Sequence, residues 1–234
     1  MSYYNGPKTV TSGLVLCLDA GNPKSYPGSG TTWTDLSNNG NSGTLTNGPT
    51  YNSANGGSIV FDGVNDYATI SNTNMGSIGG AAPVCTLSFW ANLTKTASYQ
   101  YVAGYRNDSN FSFYFLTLDT SGTGTVEARV QTATGIYDLN VNYASYYGVW
   151  THISFVSNST RSDLYINGKL VGSNTSITGS FGSTSSNFVI GVNPPNLTSW
   201  PVNGKISQVM FYNKALTASE TLQNYNATKG RYGL

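Results

Sequence analysis

The segment LYINGKLV, residues 164–171, sets the terms for this chain. Asn167-Gly168 between two apolar runs writes a type I′ hairpin, because that turn needs φ > 0 at both central residues. The same grammar recurs throughout: short runs rich in β-branched and aromatic residues, bounded by Gly and Asn. Strands are expected over 13–19, 58–61, 67–70, 85–93, 99–105, 111–119, 125–131, 150–157, 161–166, 169–171, 188–192 and 205–212. Phe111, Phe113 and Phe115 alternate with Ser112, Tyr114 and Leu116, which implies one face in the core and one less buried. Asp62-Gly63 and Asn203-Gly204 are further turn signals. One helix is expected near the C-terminus, where Thr217-Ala218-Ser219-Glu220 reads as a capping box. Leu222 and Tyr225 follow at helical spacing, and Gly230 can end the segment. Many strands at short spacing imply an all-β sandwich or barrel. With no repeat and no linker, the expected organisation is an N-terminal arm over 1–11 and one domain over 12–234.

Composition narrows the function classes. Charged residues make up 9% of the 234, while aromatics reach 13% with 17 Tyr. Disorder needs the opposite balance. The net charge of +1 and the scatter of 11 basic residues argue against nucleic acid as a partner, since phosphate binding needs a basic patch. No apolar run approaches the roughly 18 residues of a membrane span, and MSYYNGPKTV lacks the features of a secretory leader. The chain is therefore expected to be made in the cytoplasm. A polar, weakly ionic, aromatic-rich surface suits sugars and permanent assemblies. Cys17 and Cys85 sit in apolar strand-like runs, where Cys acts as a small buried hydrophobe, and the sequence leaves their redox state open.

The stretch DLSNNGNSGTLTNG, residues 35–48, imitates a calcium loop. Asp35, Ser37, Asn39 and Gly40 fit the first half of an EF-hand, but position twelve is Thr46 where a bidentate Glu is required. An EF-hand is excluded, and the glycines are expected to permit left-handed turns. Asp35 is left with two readings, a turn former or one ligand of a weaker site.

The order of motifs carries more than any one of them. GLVLCLDAGN, WTDLSNNGNSGTL, SIVFDGVNDYATI, CTLSFWANL, WTHISFVSN, DLYINGKLVGS, FVIGVN and NGKISQVMFYNKALTASETLQNY follow one another over about residues 12 to 228. This run resembles the laminin-G-like branch of the concanavalin A-like lectin/glucanase superfamily, and in particular the copies found in bacteriophage structural proteins. The resemblance implies a two-sheet antiparallel jelly-roll sandwich with one short C-terminal helix. It also implies a rim calcium in many members, for which Asp35, Asn39, Asp19, Asp62 and Asp66 would be the oxygen donors here.

This fold hosts enzymes, lectins and structural modules, so function must come from residues. The hydrolases of the superfamily use paired glutamates on one strand, whereas this chain has two Glu in all, Glu127 in TVEARV and Glu220 at the helix cap. The single histidine, His152, lies among core aromatics without a nucleophile motif or a metal-ligand spacing. No enzyme is expected. Candidate glycan-stacking residues are Tyr99, Tyr101, Tyr105, Tyr137 and Trp200, with Tyr143, Tyr146 and Tyr147 also near predicted strand ends. The leading expectation is a virion protein that decorates a phage head and displays a lectin-like sandwich with weak glycan affinity. Its partners would be the major capsid protein or other virion proteins, in a homo-oligomeric array, with Tyr3 and Tyr4 as a docking arm. The alternative is a tail-fibre or host-recognition adhesin that binds carbohydrate.

Overall fold

A computed structural model describes residues 7–71, 84–107, 111–117, 124–180, 186–194 and 196–234. In chain order the strands are β1 (Leu14–Asp19), β2 (Thr32–Trp33), β3 (Gly43–Thr46), β4 (Thr50–Asn52), β5 (Ser58–Asp62), β6 (Tyr67–Ile70), β7 (Cys85–Leu93) and β8 (Gln100–Asn107). They continue with β9 (Phe111–Thr117), β10 (Thr125–Thr132), β11 (Gly135–Asn142), β12 (Thr151–Ser157), β13 (Ser162–Ile166), β14 (Lys169–Asn174), β15 (Phe188–Ile190) and β16 (Asn203–Tyr212). Helix α1 (Ala218–Thr228) follows, then a 3₁₀ turn over Lys229–Tyr232.

The strands form two antiparallel sheets, as the alternation and turn chemistry require. The first has the order β14-β13-β12-β7-β16-β5-β4, with β1 also on β16; the second runs β11-β10-β9-β8-β15-β6-β3-β2. Strand β16 serves three neighbours. It pairs with β7 along its length, with β5 through residues 203–206 and with β1 through residues 208–212. A bulge between Ile206 and Gln208 marks the handover, and bulges are the usual device for ending one pairing and bending into another.

The core lies between the sheets. Phe113 of β9 stacks on Phe155 of β12 with ring centroids 4.6 Å apart, and Phe89 of β7 meets Phe115 of β9 edge-on at 5.4 Å. The hairpin at Asn167-Gly168 has the expected left-handed dihedrals, φ 50° and 74°. The capping box of α1 is complete: the Thr217 hydroxyl accepts from the Glu220 amide, and the Glu220 carboxylate accepts from the Thr217 amide. The helix ends at Thr228, two residues before Gly230.

Three differences from the sequence reading concern pattern. Strands β2, β3 and β4 are too short to show a period, and β11 is polar enough to pass for a loop, yet it pairs with β10 over its whole length. The outward face of β9 is not less buried, since Tyr114 is only 1% exposed. The docking-arm residues Tyr3 and Tyr4 lie outside the described residues.

Candidate functional site

The calcium donors are engaged in building turns. The Asp35 carboxylate accepts from the Cys17 amide at 2.8 Å, the Ser37 amide at 2.9 Å, the Ser37 hydroxyl at 2.7 Å and the Asn41 amide at 3.0 Å. Around it, Ser37 and Asn41 donate to the Val15 carbonyl and Asn39 donates to the Leu14 carbonyl. The Asn/Ser loop therefore saturates the free edge of β1, which would otherwise offer unpaired backbone groups. Left-handed dihedrals fall on Asn38 and Gly40, which bend the loop back onto that edge.

Asp19 is held by Arg231 through both nitrogens, at 2.8 and 3.1 Å, with the Gly21 amide and Gln208 as further donors. Asp62 and Asp66 organise one turn: Asp66 accepts from the Asp62 amide and Asp62 from the Val64 amide. Burial pushes the Asp66 carboxyl up from its ordinary range. Among the described residues no group of three or more His, Cys, Asp or Glu could hold a metal ion. Both cysteines are free thiols, and burial pushes Cys17 up to about 12.

The aromatic candidates separate sharply. Tyr105 points between the sheets, with Phe188 and Phe211 at 5.1 and 5.8 Å, and is fully buried. Tyr101 faces outward but is also fully buried, against Tyr114, and its hydroxyl has no hydrogen-bond partner among the described residues. Neither ring can stack on a sugar, and Tyr143 is likewise closed in the core. Tyr137 packs its ring against the core and hydrogen-bonds Thr178 at 2.7 Å. Tyr99 and Trp200 remain. They are half-buried, meet edge-on at 5.3 Å, and cover Tyr101 and Tyr114 on the outward face of the second sheet. Trp200 has φ 58°, an uncommon conformation for a bulky residue and one that clusters at functional sites.

A row of side chains missed by the sequence reading runs from this pair across the sheet. The Arg106 guanidinium lies over the Trp200 ring at 4.3 Å, within range of a cation–π contact, and donates to Asn193 at 3.1 Å. Tyr114 donates to Glu127 at 2.9 Å. Arg129 donates to Glu127 at 3.2 Å and to both oxygens of Asp138, at 2.6 and 2.8 Å. Burial pushes the Glu127 carboxyl up from its usual range, and neighbouring Asp138 adds to the effect. A strand period was available to find this row: Glu127 and Arg129 share parity in TVEARV, opposite to the core residues Val126, Ala128 and Val130. Glu220 lies elsewhere, paired with Lys214 at the start of α1.

His152 sits under α1. It is fully buried, with Nε2 3.0 Å from the Ser88 hydroxyl, and burial pulls it down to about 3. The imidazole is neutral near pH 7.

The family model described as "Concanavalin A-like lectin/glucanases superfamily" matches residues 62–221. A search of curated proteins finds no match. Among solved structures, the binding domain of Paraclostridial Mosquitocidal Protein 1 is similar with a TM-score of 0.69 and 17% identity, over 92% of this chain and 52% of that one. The Botulinum Neurotoxin Type G receptor binding domain gives 0.68 and 15%, over 92% and 51%. The binding domain of Botulinum neurotoxin DC, solved in complex with rat synaptotagmin II, gives 0.68 and 16%, over 94% and 52%. At such identities the likeness is one of fold, and this chain spans about half the length of the structures it matches.

Proposed function

Because the chain belongs to the concanavalin A-like lectin/glucanases superfamily, we propose that it is a non-enzymatic glycan-binding module displayed on the surface of a bacteriophage particle. The observation that carries the binding reading is the half-exposed Trp200–Tyr99 pair on the face that also presents the polar Arg129–Asp138 pair. Aromatic faces bury the apolar side of a pyranose, and adjacent charged or amide groups bond its hydroxyls. The similar toxin structures are described by their own names as binding domains, that of neurotoxin type G as a receptor binding domain, which supports the same use of the fold.

The non-enzymatic reading is supported by the state of the carboxylates. Retaining glycosidases need two carboxyl groups about 5 Å apart, one of them a free acid. Glu127 and Asp138 both accept from Arg129, and Tyr114 occupies the other oxygen of Glu127. The virion setting is supported by the resemblance of the ordered motifs to phage copies. In that setting the partners are the major capsid protein or another virion protein, in a homo-oligomeric array. A tail-fibre or host-recognition adhesin is the second reading. It is favoured by the Trp200–Tyr99 pair, since decoration of a head requires no sugar contact. The proposal assigns no cofactor, so glycan binding is expected to survive EDTA.

The test is a glycan array followed by calorimetry on the positive glycans. Trp200→Ala should abolish binding without unfolding the protein; unchanged binding would remove this site from consideration. Fractionating phage particles into heads and tails then separates the two virion readings.

A further inference from the structure

The two half-exposed contact points lie along one line. Register aligns Gly104 of β8, Tyr114 of β9, Arg129 of β10 and Asp138 of β11 side by side across four strands. At Gly104 an added Cβ would come within 2.3 Å of the Phe113 carbonyl oxygen, so glycine is what lets β8 approach β9 at the head of the row. Arg106, two residues further along β8, presents its guanidinium to Trp200 on the same outward face. Between the ends the row is closed to solvent, with Tyr114 and Glu127 1% and 7% exposed. A ligand therefore meets the protein at two places. One is the indole above β8, and the other is the Arg129–Asp138 pair on β10 and β11. Three strand spacings from β8 to β11 amount to ~14 Å at about 4.8 Å each. That exceeds the width of a single pyranose ring.

Charge sets the chemistry of what can span these points. In the row, two guanidinium groups stand against two carboxylates, and Arg129 bonds both carboxylates directly. An anionic sugar would find no net positive field and would face Asp138. A cationic one would face Arg106 and Arg129. The pair, about a quarter exposed, presents a guanidinium donor and a carboxylate acceptor side by side, a match for neighbouring hydroxyls on an uncharged sugar.

Resting on the glycan-binding reading above, we infer that this face takes an extended neutral glycan lying across the strands, with one pyranose on Trp200 and another on Arg129 and Asp138. The ligand class is an uncharged oligo- or polysaccharide of hexose units rather than a monosaccharide or a uronate polymer. Asp138 is then a specificity-determining residue that acts only on chains long enough to reach it.

Calorimetry with neutral gluco-, manno- and galacto-oligosaccharides, from monosaccharide to hexasaccharide, tests this against oligogalacturonates of the same lengths at low and high salt. In the preferred neutral series, affinity should rise about tenfold or more with length and then level off, without dependence on salt. Asp138→Asn, with an unchanged melting temperature, should cancel the gain from length and leave the weak binding of the shortest sugars. Three results overturn the inference and leave the glycan reading standing: a monosaccharide that binds as tightly as the longest chain, a salt-sensitive preference for uronates, or Asp138→Asn without effect where Trp200→Ala is null. Neutral binding that survives Trp200→Ala overturns the site itself. Failure of every sugar to bind the folded protein overturns both readings.

Discussion

Each sheet carries an aromatic belt on its outward face, and the two belts are finished differently. On the first sheet, Trp90 is stacked under Tyr232 at 4.0 Å and Tyr225 at 5.9 Å, while Trp150 flanks Tyr232 at 4.9 Å. Helix α1 and the 3₁₀ turn bring those tyrosines down, and polar pins fix them: Trp90 to Thr228 at 2.8 Å, Tyr232 to Ser207 at 2.9 Å, Arg231 to Asp19. On the second sheet, Tyr101 and Tyr114 are covered, among the described residues, by Tyr99, Trp200 and the guanidinium groups of Arg106 and Arg129, and the cover stays half-exposed. Aromatic content alone would score the two faces alike. What separates the open face from the closed one is whether the chain supplies its own lid.

The largest expected effect tests the closed face. Trp90→Ala removes a fully buried indole from beneath the C-terminal segment and should cost about 3–5 kcal/mol, measured by urea unfolding. Glycan binding should survive in the folded fraction. Loss of binding at full foldedness would show that the two faces are coupled.

The next effect depends on pH. His152 lies under the same lid with its folded pKa, about 3, below the ordinary 6.5. The unfolded chain therefore takes up the proton first. The histidine's contribution to stability is level above about pH 6.5 and is lost as pH falls towards about 3, at about 1.4 kcal/mol per pH unit at most. Unfolding of wild type and His152→Gln at pH 7, 6, 5 and 4 isolates it, because the difference between the two should shrink as pH falls. A constant difference would mean that the imidazole is hydrated under the helix.

Arg231→Met tests the pin at the end of that lid. Removing one partner of a buried pair costs about 3–5 kcal/mol, and the quarter exposure of Arg231 reduces the expectation to about 2 kcal/mol. Hydrogen exchange should report the loss in α1 and the 3₁₀ turn and leave the second sheet unchanged.

The features that the sequence displayed were those with a local cause. Asn167-Gly168 and the box at Thr217 and Glu220 depend on a few adjacent residues, and the structure has both. The strands with clean alternation were legible for the same reason. The tyrosines of YQYVAGY were not. Strict alternation puts Tyr101 and Tyr105 on one face, but β8 carries an extra residue between Tyr101 and Ala103 against β9, and this bulge sends Tyr105 inward and Tyr101 outward. Asp35 shows a second limit. The sequence left its carboxylate open between a turn former and a metal ligand because nothing local records that the loop lies along the edge of β1, whose amides and carbonyls need partners. The row from Arg106 to Asp138 required the register of four strands, including β11, whose polar sequence hid it.

The smallest effect falls on the open face and is the sharpest test of the contrast between the two faces. Tyr114→Phe removes a single oxygen that donates to Glu127 and leaves the ring that supports Arg106 and Arg129 in place. A bond to a charged acceptor is worth about 1.5–3 kcal/mol, and the Arg129 bond to Glu127 offsets part of the loss, so about 1 kcal/mol is expected by urea unfolding. Because burial already holds the Glu127 carboxyl above its usual range, loss of this donor should move its titration higher still, which carboxyl NMR can follow. If the face is a rigid platform that positions Trp200 and Asp138, glycan affinity should change less than twofold. A larger fall in affinity at this small cost in stability would mean that the Tyr114–Glu127 bond itself sets the spacing of the two contact points.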